Sequence, residues 1–95
     1  MFRHVSLLKF NNPETDIAIV ADALTSLPAR IPALRDYRFG ADAGLSDGNF
    51  DLAIVADFDD VAGYETYRDD AEHQRILTEI VKPRLAQRAA AQYQI

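Results

Sequence analysis

The chain has 95 residues, 48% hydrophobic and 26% charged, an ordinary balance for a soluble globular domain. Fifteen acidic residues against ten basic ones, with no Lys/Arg cluster, give a net charge of −5 and argue against a nucleic-acid groove or attraction to anionic membranes. The absence of cysteine excludes a disulfide framework and thiolate chemistry, and no apolar run approaches the ~20 residues needed to span a bilayer.

Residues 1–95 make one domain with one core. Such a chain buries roughly 60–65% of its unfolded surface on its own, so a partner subunit would add appreciable stability. Met1-Phe2-Arg3-His4 lacks a signal-peptide layout and runs straight into a strand pattern. Together these features point to a cytoplasmic protein.

Phe2 to Phe10 reads as the first strand, with Phe2, His4, Ser6, Leu8 and Phe10 on one side and Arg3, Val5, Leu7 and Lys9 on the other. Both sides are apolar at the middle, which places this strand centrally. Asn12 and Pro13 suit a helix start, and Glu14 and Asp16 complement the positive end of its dipole. Ile17, Val20, Ala21, Leu24 and Leu27 form the inner stripe, with Asp16, Asp22, Thr25 and Ser26 outside. Pro28 and Pro32 are expected to end this helix. Leu34 to Gly40 reads as a charged edge strand, and the glycine-rich stretch 40–49 as a loop.

Phe50 to Phe58 reads as a strand whose middle, Leu52-Ala53-Ile54-Val55-Ala56, is continuously apolar and therefore covered on both faces. Asp59 or Asp60 caps the next helix, with Val61, Tyr64, and Tyr67 or Arg68 on its inner stripe. Helical spacing restarts at His73, Ile76, Leu77 and Ile80, and Val81-Lys82-Pro83 disturbs it. The last segment contains Ala89-Ala90-Ala91, which favours helix locally, whereas the global pattern needs a strand from about Arg88.

Strand, helix, strand, strand, helix, strand is the split βαβ, ferredoxin-like α+β arrangement, βαββαβ, with a four-stranded antiparallel sheet. Right-handed crossovers put the first and third strands in the middle and both helices on one face. No helix remains for the other face, although that face is apolar. A second copy of the same sheet, packed face to face with two-fold symmetry, is the economical cover. The patterning therefore predicts a homodimer.

His4-Val5-Ser6-Leu7-Leu8-Lys9-Phe10, Ile31-Pro32-Ala33-Leu34, Asp51-Leu52-Ala53-Ile54-Val55, Phe58-Asp59-Asp60, Tyr64-Glu65-Thr66-Tyr67, Glu72-His73-Gln74 and Val81-Lys82-Pro83 occur together in this order. In this the chain resembles the stress-responsive A/B barrel (Dabb) family nearly end to end. The resemblance implies a dimeric α/β barrel in which two four-stranded sheets enclose a lumen with the helices outside. It is also similar to the olivetolic acid cyclase-like branch, which closes a linear polyketide by aldol condensation. By that resemblance His4, Tyr67 and His73 match the positions that line the pocket and act on substrate. Two places differ: Asp70-Ala71-Glu72-His73 stands where His-Pro-x-His is usual, and Gln92-Tyr93 where many members have Asp-Tyr.

The chemistry open to such residues is proton transfer. If the His4 side of the first strand faces the lumen, it carries an imidazole into an apolar cavity. Histidine is the natural general base near neutral pH, and a neighbouring phenol can hydrogen-bond a developing enolate. Structural roles compete with this reading: His4 bonding a backbone carbonyl, His73 pinning its helix to the sheet, and the tyrosines simply buried. The carboxylates at Asp57, Asp59, Asp60, Asp69, Asp70 and Glu72 are accounted for mostly by capping and alternation. Two histidines without ligand spacing make a poor metal site. No phosphate loop, serine elbow or dinucleotide fingerprint is present, so no cofactor is expected. Three readings follow. The barrel binds a small hydrophobic or carbonyl-bearing molecule with lyase or polyketide-cyclase chemistry, or it is a non-catalytic, stress-associated dimer, or it is a cofactor-free monooxygenase-like enzyme.

Overall fold

Strict alternation in the first strand organises the molecule. In the computed structural model, which describes Met1 to Ile95, β1 (Phe2–Phe10) buries every even-numbered residue and leaves every odd-numbered one half-covered. The helices cover the even side. The chain continues through α1 (Pro13–Leu24), a single turn α2 (Leu27–Arg30), β2 (Asp36–Ala41), β3 (Leu52–Phe58), α3 (Val61–Asp69) and α4 (Ala71–Ile76). The last helical segment runs on through a π-helical turn, Leu77–Val81, and a 3-10 turn, Lys82–Arg84, into β4 (Leu85–Gln94).

The sheet order is β2-β3-β1-β4, all antiparallel, with β1 and β3 central. This is the ferredoxin-like α+β fold. Register places Phe2 opposite Phe58 and Leu8 opposite Leu52, so the even residues of both central strands share the helix-covered face. Leu52, Ile54, Ala56 and Phe58 are buried there against Val20, Leu24, Leu27, Tyr67 and Ile76. The opposite face presents Val5, Leu7, Ala53 and Val55, flanked by Ala89 and Ala91 of β4, and no helix of the chain covers it. On this face the Arg3 guanidinium donates two hydrogen bonds to the Asp57 carboxylate, at 2.7 and 2.8 Å.

Several boundaries differ from the expectations. The first helix ends at Leu24, before either proline, and Pro28 sits inside α2, where the first turn of a helix tolerates it. Asn12 occupies the cap position without a side-chain bond; Asp16, expected outside, is buried, accepts the Asn12 backbone N–H at 3.0 Å and lies 3.6 Å from Arg84. Asp60, not Asp59, caps α3 by accepting from the Gly63 N–H. β2 begins at Asp36 and β3 at Leu52, two residues later than expected in each case. The final segment is a strand and starts at Leu85 rather than near Arg88. Pro83 and the extended backbone at Leu85 stop the helix, and pairing with β1 outweighs the helical preference of the alanines.

One expectation changes more deeply. The His4 side of β1 faces the chain's own helices, not a space between two sheets. The pleat forces this, because His4 and Ser6 share parity with Phe2, Leu8 and Phe10, the side chains that the helices cover. Phe58 is fully buried between the sheet and Tyr64 and Tyr67. Phe58→Ala should lower unfolding free energy by about 3–5 kcal/mol, measured by urea denaturation, whereas a loss below ~1 kcal/mol would contradict this packing.

Candidate active site

A cavity of about 280 Å³ opens between the sheet and the helices of the single chain. Its volume falls just short of the ~300–1,000 Å³ usual for small-molecule sites. Leu8, Leu24, Ile54, Leu77, Val81 and Leu85 make its apolar walls. The π-helical turn contributes Leu77 and Val81, and single π turns recur at functional sites. His4 and Ser6 enter from β1, Tyr64, Tyr67 and Arg68 from α3, His73 from α4, and Arg88 from β4.

The fold thus brings His4, Tyr67 and His73 to one cavity. Tyr67 and His73 stack, with ring centroids 4.0 Å apart and planes at 30°. The turn between α3 and α4 produces this contact: Asp70 caps α4 by accepting the His73 backbone N–H at 3.0 Å and is itself held by Arg30. Asp70 stands where a histidine is usual in the family pattern, and here it fixes the start of the helix that carries His73.

The two histidines are held differently. His4 is engaged at both ring nitrogens, Nε2 with Ser6 Oγ and Nδ1 with the Gln92 carboxamide, each at 3.0 Å. With the Gln92 amide donating to Nδ1, the ring proton sits on Nε2 and is donated to Ser6. Gln92 also donates to the Tyr64 hydroxyl, whose ring lies 5.0 Å from that of His4. For His73, Nδ1 contacts the Arg68 carbonyl at 3.3 Å. A carbonyl only accepts, so Nδ1 carries the proton and Nε2 keeps its lone pair. That atom has no protein partner, and no sealed side-chain nitrogen or oxygen in the molecule lacks one. His73 lines the cavity, and no hydrogen bond to the protein is found at its Nε2.

Burial sets the charge states. It lowers His4 to about 4, with Arg88 and His73 acting in the same direction. Burial also lowers His73, partly offset by the Arg68 and Tyr67 carbonyls and by Asp70. Both imidazoles are neutral at pH 7. Burial raises Tyr67, so its phenol keeps its proton, and Tyr67 shares a 3.1 Å hydrogen bond with the Tyr37 hydroxyl. Burial likewise raises Tyr37.

Ser6, Tyr37, Lys82 and Arg88 surround these groups without having been singled out from sequence, and Gln92, marked there only as a departure from the family pattern, bonds His4. Ser6 was signalled by its parity with His4. Tyr37 and Arg88 come from the two edge strands and needed the register to place them. A more open hollow of about 500 Å³ lies beneath the 42–50 loop on the opposite sheet face, between Leu7, Ala53 and Phe50. It holds neither histidine nor tyrosine.

The model of the Dabb family, the stress-responsive A/B barrel domain, matches residues 2–95, and the chain belongs to that family. A dimeric ferredoxin-like protein of unknown function from Thermobifida fusca is 42% identical, with a TM-score of 0.87 over 99% of this chain and 90% of that one. A dimeric protein of unknown function from Bacteroides fragilis is 21% identical, with a TM-score of 0.84 and coverage of 99% and 95%. A hydroxynitrile lyase from Passiflora edulis is 17% identical, with a TM-score of 0.84 and coverage of 99% and 92%. No match was found among curated proteins.

The depressed histidine values carry a sign. A histidine lowered on folding binds fewer protons in the native state, so its contribution is complete above the unfolded value and is lost as pH falls. For His4 that window runs from 6.5 down to about 4. His73 loses stability in the same direction below its ordinary value. Urea midpoints should hold steady above pH 7 and decline through this window, and His4→Gln should flatten part of the decline. A midpoint unchanged from pH 7 to 4 would contradict the buried, neutral assignment.

Proposed function

We propose that the protein is a homodimer whose subunits each bind a small carbonyl-bearing molecule and abstract a proton alpha to its carbonyl, as in lyase or aldol-cyclase chemistry. The observation that carries this is the free Nε2 lone pair of His73, stacked against a protonated Tyr67 in an apolar cavity.

His73 Nε2 is the general base. Its Nδ1–H bond to the Arg68 carbonyl keeps the lone pair turned toward the substrate and stabilises the imidazolium formed on proton abstraction. Tyr67 donates its hydroxyl proton to the developing enolate oxygen, while Tyr37 donates to Tyr67 and replenishes that hydrogen bond. His4 acts through Ser6: its Nε2–H is given to Ser6 Oγ, which frees the serine hydroxyl proton for the ligand. Gln92 holds the tautomer that makes this direction available. The enolate then expels a leaving group or attacks a second carbonyl.

The dimer rests on the uncovered sheet face and on the dimeric descriptions of the bacterial neighbours. Two such faces in contact would bury Val5, Leu7, Ala53 and Val55. Their alanine flanks allow close approach. Val55→Glu should convert a dimer seen by sedimentation into a monomer; a dimer unaffected by this change, or a monomeric wild type at micromolar concentration, would refute the face-to-face assembly.

Proton abstraction is tested with phenylacetone in D₂O at pH 7, following deuterium incorporation at its methylene by NMR. The wild type should accelerate exchange, and His73→Ala should slow the catalysed exchange by ~10²–10⁴-fold. Exchange no faster than in buffer, or equal in the variant, would overturn the role of His73.

A further inference from the structure

Acidic residues outnumber basic ones in this chain, so an unpaired cation is unusual. Every arginine except Arg88 is ion-paired. Lys9 lies over the Phe50 ring, 5.8 Å from its centroid. The two cations left without a carboxylate or a ring are Lys82 and Arg88, and both line the cavity that holds His4, Tyr67 and His73.

They reach it from different elements. Lys82 follows the π-helical turn, and Arg88 stands on β4 opposite Leu8 of β1. Both are exposed residues, so their charged groups stand where the cavity meets solvent while the interior walls stay apolar. Neither has a carboxylate partner in the chain, and both line the same cavity. The Arg88 charge also reaches the buried groups, since it lowers both His4 and Tyr67.

From these placements we infer that the ligand is an organic acid, its carboxylate held at the cavity mouth by Arg88 and Lys82 and its apolar, carbonyl-bearing body inside. The inference deepens the proposed function and rests on the same cavity. A guanidinium presents paired N–H donors that match a carboxylate, and an ammonium adds a compact second charge. The cavity volume, equal to about nine waters at ~30 Å³ each, restricts the body to a small ring or short chain. Anchoring the acid at the rim also removes rotational freedom at the carbonyl, which favours proton transfer in the bound complex.

The test compares 4-oxo-4-phenylbutanoate with its uncharged twin, 4-oxo-4-phenylbutanamide, by isothermal titration calorimetry at low ionic strength. The wild type should bind the acid at least tenfold more tightly than the amide, and the preference should shrink as salt is added. In Arg88→Gln/Lys82→Gln the acid should bind no more tightly than the amide does to the same variant. Equal binding of acid and amide by the wild type, or a preference that survives the double substitution, would overturn this inference and leave the cavity reading standing. Binding of neither compound would overturn both. Fold integrity in the variant is read independently by its urea midpoint, and in the folded variant loss of the Arg88 charge should raise the His4 value in a histidine NMR titration, whereas an unmoved value would contradict the placement of Arg88 at the cavity.

Discussion

The pleat of β1 is the constraint from which the rest follows. One strand of nine residues alternates Phe2, His4, Ser6, Leu8, Phe10 toward the helices. A single-residue slip would send all five to the other face. Pairing with β3 on one side and β4 on the other holds the register, and Asp51 secures the strand end by accepting the Phe10 N–H at 2.8 Å. The consequence is a core layer containing two polar side chains. Buried polar groups require partners, and His4 and Ser6 satisfy each other while Gln92 reaches across from β4 to complete the set. The cavity lies where this polar pair replaces packed hydrocarbon.

That same alternation divides the two faces of the sheet by task. The helix-covered face carries the cavity and its titratable groups. The other is apolar at its centre, with the Arg3–Asp57 pair beside the Val5 and Val55 surface. Arg3 holds the Asp57 carboxyl below the usual carboxylate range. A partner sheet on the uncovered face would lie on the opposite side of the sheet from the cavity, whose lining comes from a single chain.

The fold was legible because its signals are periodic and redundant. Continuous apolar residues at Leu52–Ala56, alternation in β1 and helical spacing at Ile17, Val20 and Leu24 all point to one topology. Boundaries were less legible where tertiary pairing competes with local preference, as at Ala89–Ala91. Asp16 misled for another reason: its charge argues for solvent, whereas it is buried to accept the Asn12 N–H. Family resemblance named His4, Tyr67 and His73, and helical and strand spacing alone do not bring them together. The side of the sheet on which they meet depended on knowing that the helices cover the even residues of β1. Tyr37 and Arg88 remained hidden because no local pattern marks an edge-strand side chain that meets the site, and Gln92 was marked only as a departure from the family pattern.

The central claim is that His73 is a neutral base with its lone pair on Nε2. Nitrogen-15 NMR of the imidazole rings across a pH titration reads this directly, because the protonated and unprotonated ring nitrogens differ in chemical shift. The account predicts the Nδ1–H tautomer for His73 at pH 7 and titration below the ordinary histidine value near 6.5. An Nε2–H tautomer, or titration at or above that value, would contradict it.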